Sequence, residues 1–79
     1  DPAKEAEDSE ERDAVREAMR GLPPDQRMAV ALYHQESLAY EEIADLTGWP
    51  LGTVKTNLYR GRKAIGRRLR SYFDGGESG

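Results

Sequence analysis

Residues 49–70 read WPLGTVKTNLYRGRKAIGRRLR, with seven basic side chains and no acidic one. The whole 79-residue chain carries a formal net charge of -3. The charge is divided along the chain. Residues 1–50 hold 13 acidic and 5 basic side chains, a balance of -8, and residues 51–79 hold 2 acidic and 7 basic, a balance of +5. A cationic segment on an otherwise acidic chain points to a local surface for a polyanion, and the competing reading is neutralisation by the chain's own acidic half.

Wound at ~100° per residue, the segment divides into two faces. Val54, Leu58, Gly61, Ile65, Leu69 and Tyr72 form an apolar stripe that should meet a core. Gly52, Thr56, Tyr59, Lys63 and Arg70 lie opposite, with Lys55 at one margin and Arg60 and Arg67 at the other. The segment therefore predicts a long amphipathic helix from about Leu51 to Tyr72, basic on its outer side.

Upstream, Tyr40 to Thr47 predicts a short helix whose inward residues are Ile43, Ala44 and Leu46. Gly48 suits a left-handed turn without a Cβ clash, and Trp49 is expected in the core. Small Ala44, Gly48 at the turn and Val54 beyond it have the spacing of a helix-turn-helix. Gly21 and Leu22-Pro23-Pro24 separate two earlier helices. The first runs from a cap at Asp8 to about Arg20, with Glu11 completing a capping box and Ala14, Val15, Ala18 and Met19 as its apolar stripe. The second starts at Pro24, where a missing N–H is tolerated, and runs to about Gln35. Glu36 and Ser37 connect it onward, and Leu38 anchors the loop. The expected fold is all-α: a small four-helix domain with a C-terminal helix-turn-helix and a long basic recognition helix. Residues 1–8 are expected to be a flexible linker end, 9–73 the domain and 74–79 a flexible tail.

Several functions are excluded or disfavoured. There is no cysteine for disulfides or thiolate metal sites. No apolar run approaches the ~18 residues of a membrane span and no signal-peptide pattern opens the chain. A soluble intracellular protein is expected, and the missing initial methionine suggests part of a longer one. The single histidine, His34, has no second ligand beside it and is expected to pack between helices. No nucleophile motif or phosphate-cradling glycine loop appears, so neither an enzyme nor a small-molecule, cofactor or metal site is expected.

Helix-turn-helix proteins place the first residues of the second helix against base edges. That selects Lys55, Thr56 and Tyr59: lysine donates to guanine, threonine bonds a base or touches a thymine methyl, and tyrosine offers ring and hydroxyl. The competing readings are solvated surface for Lys55 and Thr56 and sideways packing on the first helix for Tyr59. Arg60, Arg62 and Lys63 are expected nearer the phosphates, and Thr53 and the helix-start N–H groups can bind one. Tyr40 is either a phosphate contact or a packing residue. Arg67, Arg68 and Arg70 are expected to be solvated or paired with the acidic first helix. Met28, Val30 and Tyr33 on the second helix are candidates for a protein-partner surface.

LPPDQRMAVAL (22–32) followed by SLAYEEIADLTGWPLGTVKTNLYRGRKAIGRRL (37–69) resembles region 4 of bacterial sigma-70 family factors, of the extracytoplasmic-function type. The resemblance implies recognition of the promoter -35 element in double-stranded DNA, docking on the β flap of RNA polymerase, a possible anti-sigma partner and a bacterial cytoplasmic location. It matches the base-reading positions to Lys55, Thr56 and Tyr59 and places Gly52 and Thr53 near the DNA backbone. The chain departs from the family at three positions. Ala39 stands where serine is common, a lost cap worth about 1 kcal/mol. Asn57 stands where arginine is frequent. Gly61 stands where alanine is usual, softening the helix by ~1 kcal/mol. A response-regulator DNA-binding domain has a similar layout, but the Leu-Pro-Pro segment and the long basic last helix favour the sigma reading. A domain serving mainly protein binding is the alternative from a different class.

Overall fold

A computed structural model describes the backbone of residues 2–75 and the side chains of residues 10–71. It contains helices α1 (Pro2–Arg20), α2 (Pro24–Val30), α3 (Tyr40–Thr47) and α4 (Leu51–Gly75), and α2 continues into a π-helical turn over Ala31–Gln35. There is no strand among the described residues, so the chain is all-α.

Helix α1 starts earlier than its capping pattern predicted. Pro2 stands at its first position, and Asp8 lies inside the helix rather than at its end. Residues 2–8 are therefore helical where a flexible end was expected. Proline tolerates a first turn, and the alanines, lysine and glutamates that follow are strong helix formers. Residues 76–79 of the expected tail, and the Tyr72 side chain, lie outside the described residues.

Ala18 and Met19 of α1 are buried, while Ala14 is half-buried and Val15 sits at the margin. Beyond Gly21 the Leu22 N–H donates to Met19 O at 3.1 Å. This folds the chain back and buries Leu22; the helix-breaking segment thus also supplies a core side chain. Pro23 occupies the cap of α2 and Pro24 its first turn. At the other end of α2 the Glu36 N–H reaches back five residues to Ala31 O at 3.2 Å, the wide-turn bond of a π segment. Ser37 then takes φ 57, and the Leu38 N–H donates to Leu32 O at 3.0 Å, which turns Leu38 inward.

In α3 the Ala39 N–H donates to Glu42 Oε1 at 2.9 Å. Half of a capping box survives although residue 39 has no hydroxyl. Ile43 is fully buried and Ala44 half-buried, as expected, but Leu46 is 66% exposed. Thr47 takes the inward place: at ~100° per residue it lies between Ile43 and Ala44 on the wheel, whereas Leu46 falls to the far side of Ile43.

Val54 and Leu58 of α4 are fully buried against Ile43, Ala29 and Val30. Gly61 is buried, and Ile65 and Leu69 are half-buried along the same stripe. At Gly61 a Cβ would meet Val30 Cγ2 at 2.7 Å and Gln26 O at 3.3 Å. The glycine that looked like a weak point in α4 is where α2 crosses it. Trp49, expected in the core, is half-buried and packs against the core's edge.

Candidate nucleic-acid interface

The turn between α3 and α4 is braced on both sides. Gly48 has φ 77 and ψ 6 and donates its N–H to Ala44 O, at 2.9 Å. The Thr47 hydroxyl donates to Ile43 O at 2.7 Å and accepts the Trp49 N–H at 3.2 Å. Pro50 O then accepts the first N–H groups of α4, from Thr53 at 2.9 Å and Val54 at 3.2 Å. The N–H groups of Leu51 and Gly52 precede these and have no acceptor within the helix. Gly52 and Thr53 are exposed, and a Cβ at Gly52 would meet nothing within 4 Å. This end of α4 is therefore open to a phosphate oxygen.

Burial of Val54 and Leu58 fixes the rotation of α4, and that rotation turns Lys55, Thr56 and Tyr59 to solvent. Tyr59 is 65% exposed. Its ring neighbour is the Lys63 ammonium, 5.7 Å from the centroid, rather than α1. Tyr40, Lys55, Leu58, Tyr59, Arg62 and Lys63 line one shallow groove, with three cations, two phenols and no carboxylate. Tyr40 is half-buried: its ring packs 5.3 Å from that of Tyr33, the packing role expected of it, and it also forms a wall of the groove. Arg60 is exposed on the same helix.

Arg62 is not a free cation. Its Nε–H donates to His34 Nε2 at 3.1 Å, and its guanidinium carbon lies 4.6 Å from the Tyr33 ring centroid. The Tyr33 and His34 rings meet edge to face at 4.9 Å. Desolvation by burial, and then the Arg62 charge, hold His34 below its ordinary acid–base range, so the neutral imidazole with a free Nε2 lone pair is favoured. His34 had been expected to pack between helices; it is exposed and hydrogen-bonded instead. The two residues are 28 apart in sequence, and no local pattern links them.

The expected partner surface is only partly present. Met28 is 49% exposed, and Val30, 4% exposed beneath Gly61, shows only its edge, in the wall of an apolar groove. Tyr33 is half-buried under Arg62. That groove lies between α1, the π turn and α4, where Val15, Met19 and Ile65 join Val30. Arg67 and Arg70 are exposed, and Arg68 donates to Gly21 O at 3.4 Å beside Glu10, Asp13 and Glu17. Among the described residues no group of His, Asp or Glu side chains could hold a metal ion, and no helix is long and apolar enough to cross a membrane.

Residues 12–65 match the family model described as Sigma-70, region 4. The chain is 41% identical over 58 residues to the ECF RNA polymerase sigma-E factor of Escherichia coli, covering 73% of this chain and 30% of that protein. It has the same likeness to the factor of that name from Salmonella typhi. It is 40% identical over 55 residues to the RNA polymerase sigma-H factor of Pseudomonas aeruginosa, covering 70% of this chain and 28% of that one. The chain thus spans under a third of the length of these relatives.

Proposed function

The chain belongs to the sigma-70 region 4 family, a non-enzymatic helical part of transcription initiation factors, and on that premise we propose that it recognises the -35 element of promoters through the leading end of α4. One observation carries the reading: Lys55, Thr56 and Tyr59 stand exposed together while Val54 and Leu58, interleaved with them, are locked into the core. The outward face therefore cannot rotate away from a duplex. Lys55 and Thr56 are assigned to base edges, with Tyr59 beside them. Gly52, Thr53, Tyr40, Arg60 and Lys63 are assigned to the phosphates, which set position rather than sequence.

Selection from a randomised duplex library at two salt concentrations tests this. Lys55→Ala and Thr56→Ala should each alter base preference by about 1–3 kcal/mol at the affected pair. A uniform loss across all sequences with Lys55→Ala would remove it from the base readers.

A second face supports docking on RNA polymerase. The apolar groove of Val15, Met19, Val30 and Ile65 shares only Arg62 with the basic groove. We assign this groove to the β flap. Val15→Glu should then weaken association with core polymerase while leaving duplex preference intact. Equal binding of core polymerase by the variant and the parent would argue against the assignment.

A further inference from the structure

Among the described residues, Arg62 is the one side chain shared by the basic groove and the apolar groove. On one side it stands with Lys55, Tyr59 and Lys63 in the basic groove. On the other its Nε–H is bonded to His34 Nε2, at 3.1 Å, and its guanidinium covers Tyr33. Only an unprotonated Nε2 accepts that bond. A proton there replaces the acceptor with a donor and sets an imidazolium against a guanidinium that cannot lose its own charge.

We propose that His34 is a positioning residue for DNA binding: neutral, it holds Arg62 against Tyr33, and protonated, it releases Arg62 to a phosphate, so that binding a duplex takes up a proton. The proposal rests on the DNA-binding reading above. The step balances with one proton from solvent: an N–H bond forms at His34 Nε2, its hydrogen bond from Arg62 is lost, and a phosphate oxygen takes the imidazole's place as the partner of Arg62.

The surroundings of His34 leave Arg62 as the deciding charge. Tyr33 meets it from its own turn, ring edge to ring face. Helix α1 contributes Val15 and Met19 to the groove beside it, and α4 contributes Ile65, Gly66 and Arg62, of which Arg62 alone is charged. Tyr40 reaches the cluster only through Tyr33. Burial and the Arg62 charge both disfavour the proton in the free protein. In the complex a phosphate neutralises Arg62 and lifts the second of these. By linkage, affinity then rises as pH falls through and below the ordinary histidine range.

His34 is the chain's single histidine, which makes the test clean. Affinity of the chain for its selected duplex is measured at constant ionic strength between about pH 8 and pH 5.5, a range spanning the ordinary histidine midpoint. The parent should tighten by about threefold or more, within the limit of about tenfold per pH unit that one proton allows. His34→Gln keeps an acceptor for Arg62 but cannot take the proton, and its affinity should be flat over the range in which the parent responds. In the free protein, Arg62→Gln should move the His34 ring titration, read by NMR, upward toward its ordinary midpoint. Selective binding that is flat with pH in the parent, an unchanged pH response in His34→Gln, or an unmoved His34 titration in Arg62→Gln each overturns this proposal alone. Failure of the parent to bind any duplex at any pH overturns the DNA reading and takes this proposal with it.

Discussion

Gly61 lies against Val30 so closely that a Cβ on residue 61 would stand 2.7 Å from the valine Cγ2. This contact sets how near α4 approaches α2, and so how Val54 and Leu58 reach Ile43. By helix propensity alone Gly61→Ala should stabilise α4 by about 1 kcal/mol. In this fold it should destabilise instead, by about 1–3 kcal/mol, because the core must yield to an added methyl. Val30→Ala should relieve the clash, so the double variant should be more stable than the sum of the two single changes predicts. Gly66 has nothing within 4 Å of its Cβ position, and Gly66→Ala should raise stability by about 0.5–1 kcal/mol. Denaturant titration of the four proteins separates these outcomes.

Among the described residues two have positive φ, Gly48 at 77 and Ser37 at 57, and they should respond in opposite directions. Gly48→Ala meets open space, so its cost is backbone strain alone, about 1–2 kcal/mol. Ser37→Gly removes the same strain and should stabilise by up to ~1 kcal/mol, offset partly by the entropy of glycine in the unfolded chain. A destabilised Ser37→Gly in urea titration would show that the serine makes a compensating contact.

Restoring a hydroxyl at residue 39 should complete the cap of α3. The Glu42 carboxylate already takes the Ala39 N–H at 2.9 Å. Ala39→Ser adds the reciprocal acceptor and should contribute about 0.5–1 kcal/mol. Glu42→Ala should remove that gain as well as its own bond, so the two changes should be strongly non-additive in thermal unfolding.

The phosphate-facing cations should differ from the base readers in salt dependence. Arg60→Ala and Lys63→Ala should each weaken binding at every sequence and reduce the log–log salt slope by about 1. Lys63→Ala should also free the Tyr59 ring, since the ammonium lies 5.7 Å from its centroid. Lys55→Ala should leave most non-specific binding in place and flatten base preference. An undiminished salt slope in Lys63→Ala would remove it from the phosphate set.

Stability should fall with acid through His34. Its folded-state midpoint lies below the ordinary value of 6.5, chiefly through burial and then through Arg62. The unfolded chain therefore binds the proton first. This contribution is complete above pH 6.5 and is lost as pH falls through the folded midpoint. The thermal midpoint of the parent should drop more between pH 8 and pH 5.5, which bracket the ordinary histidine midpoint, than that of His34→Gln. Equal drops would mean that His34 is not held neutral by the fold.

The four helices, their order and the outward set Lys55, Thr56 and Tyr59 were legible in the chain. A 3.6-residue period with Gly48 ahead of it leaves one way to bury Val54 and Leu58, and the outer face follows by geometry. The start of α1 was less legible, because Asp8 is a good cap but Pro2 and the helix formers after it make a longer helix as favourable. Leu46 was misjudged because a hydrophobic residue on an eight-residue helix has two possible sides, and hydropathy does not choose between them. Val30 keeps only an edge in the apolar groove for a related reason: nothing local announces that Gly61, thirty-one positions later, will lie against it.

The sequence by itself determined the helical class, the polarity of α4 and the position of the turn, because these depend on periodicity, on charge placement and on the backbone freedom of glycine. Only the tertiary structure decided which helix crosses at Gly61, that Thr47 rather than Leu46 of α3 turns inward, and that Arg62 is shared between His34 and the basic groove. Those outcomes depend on distances between residues far apart in the chain, and such distances exist only once the helices have packed.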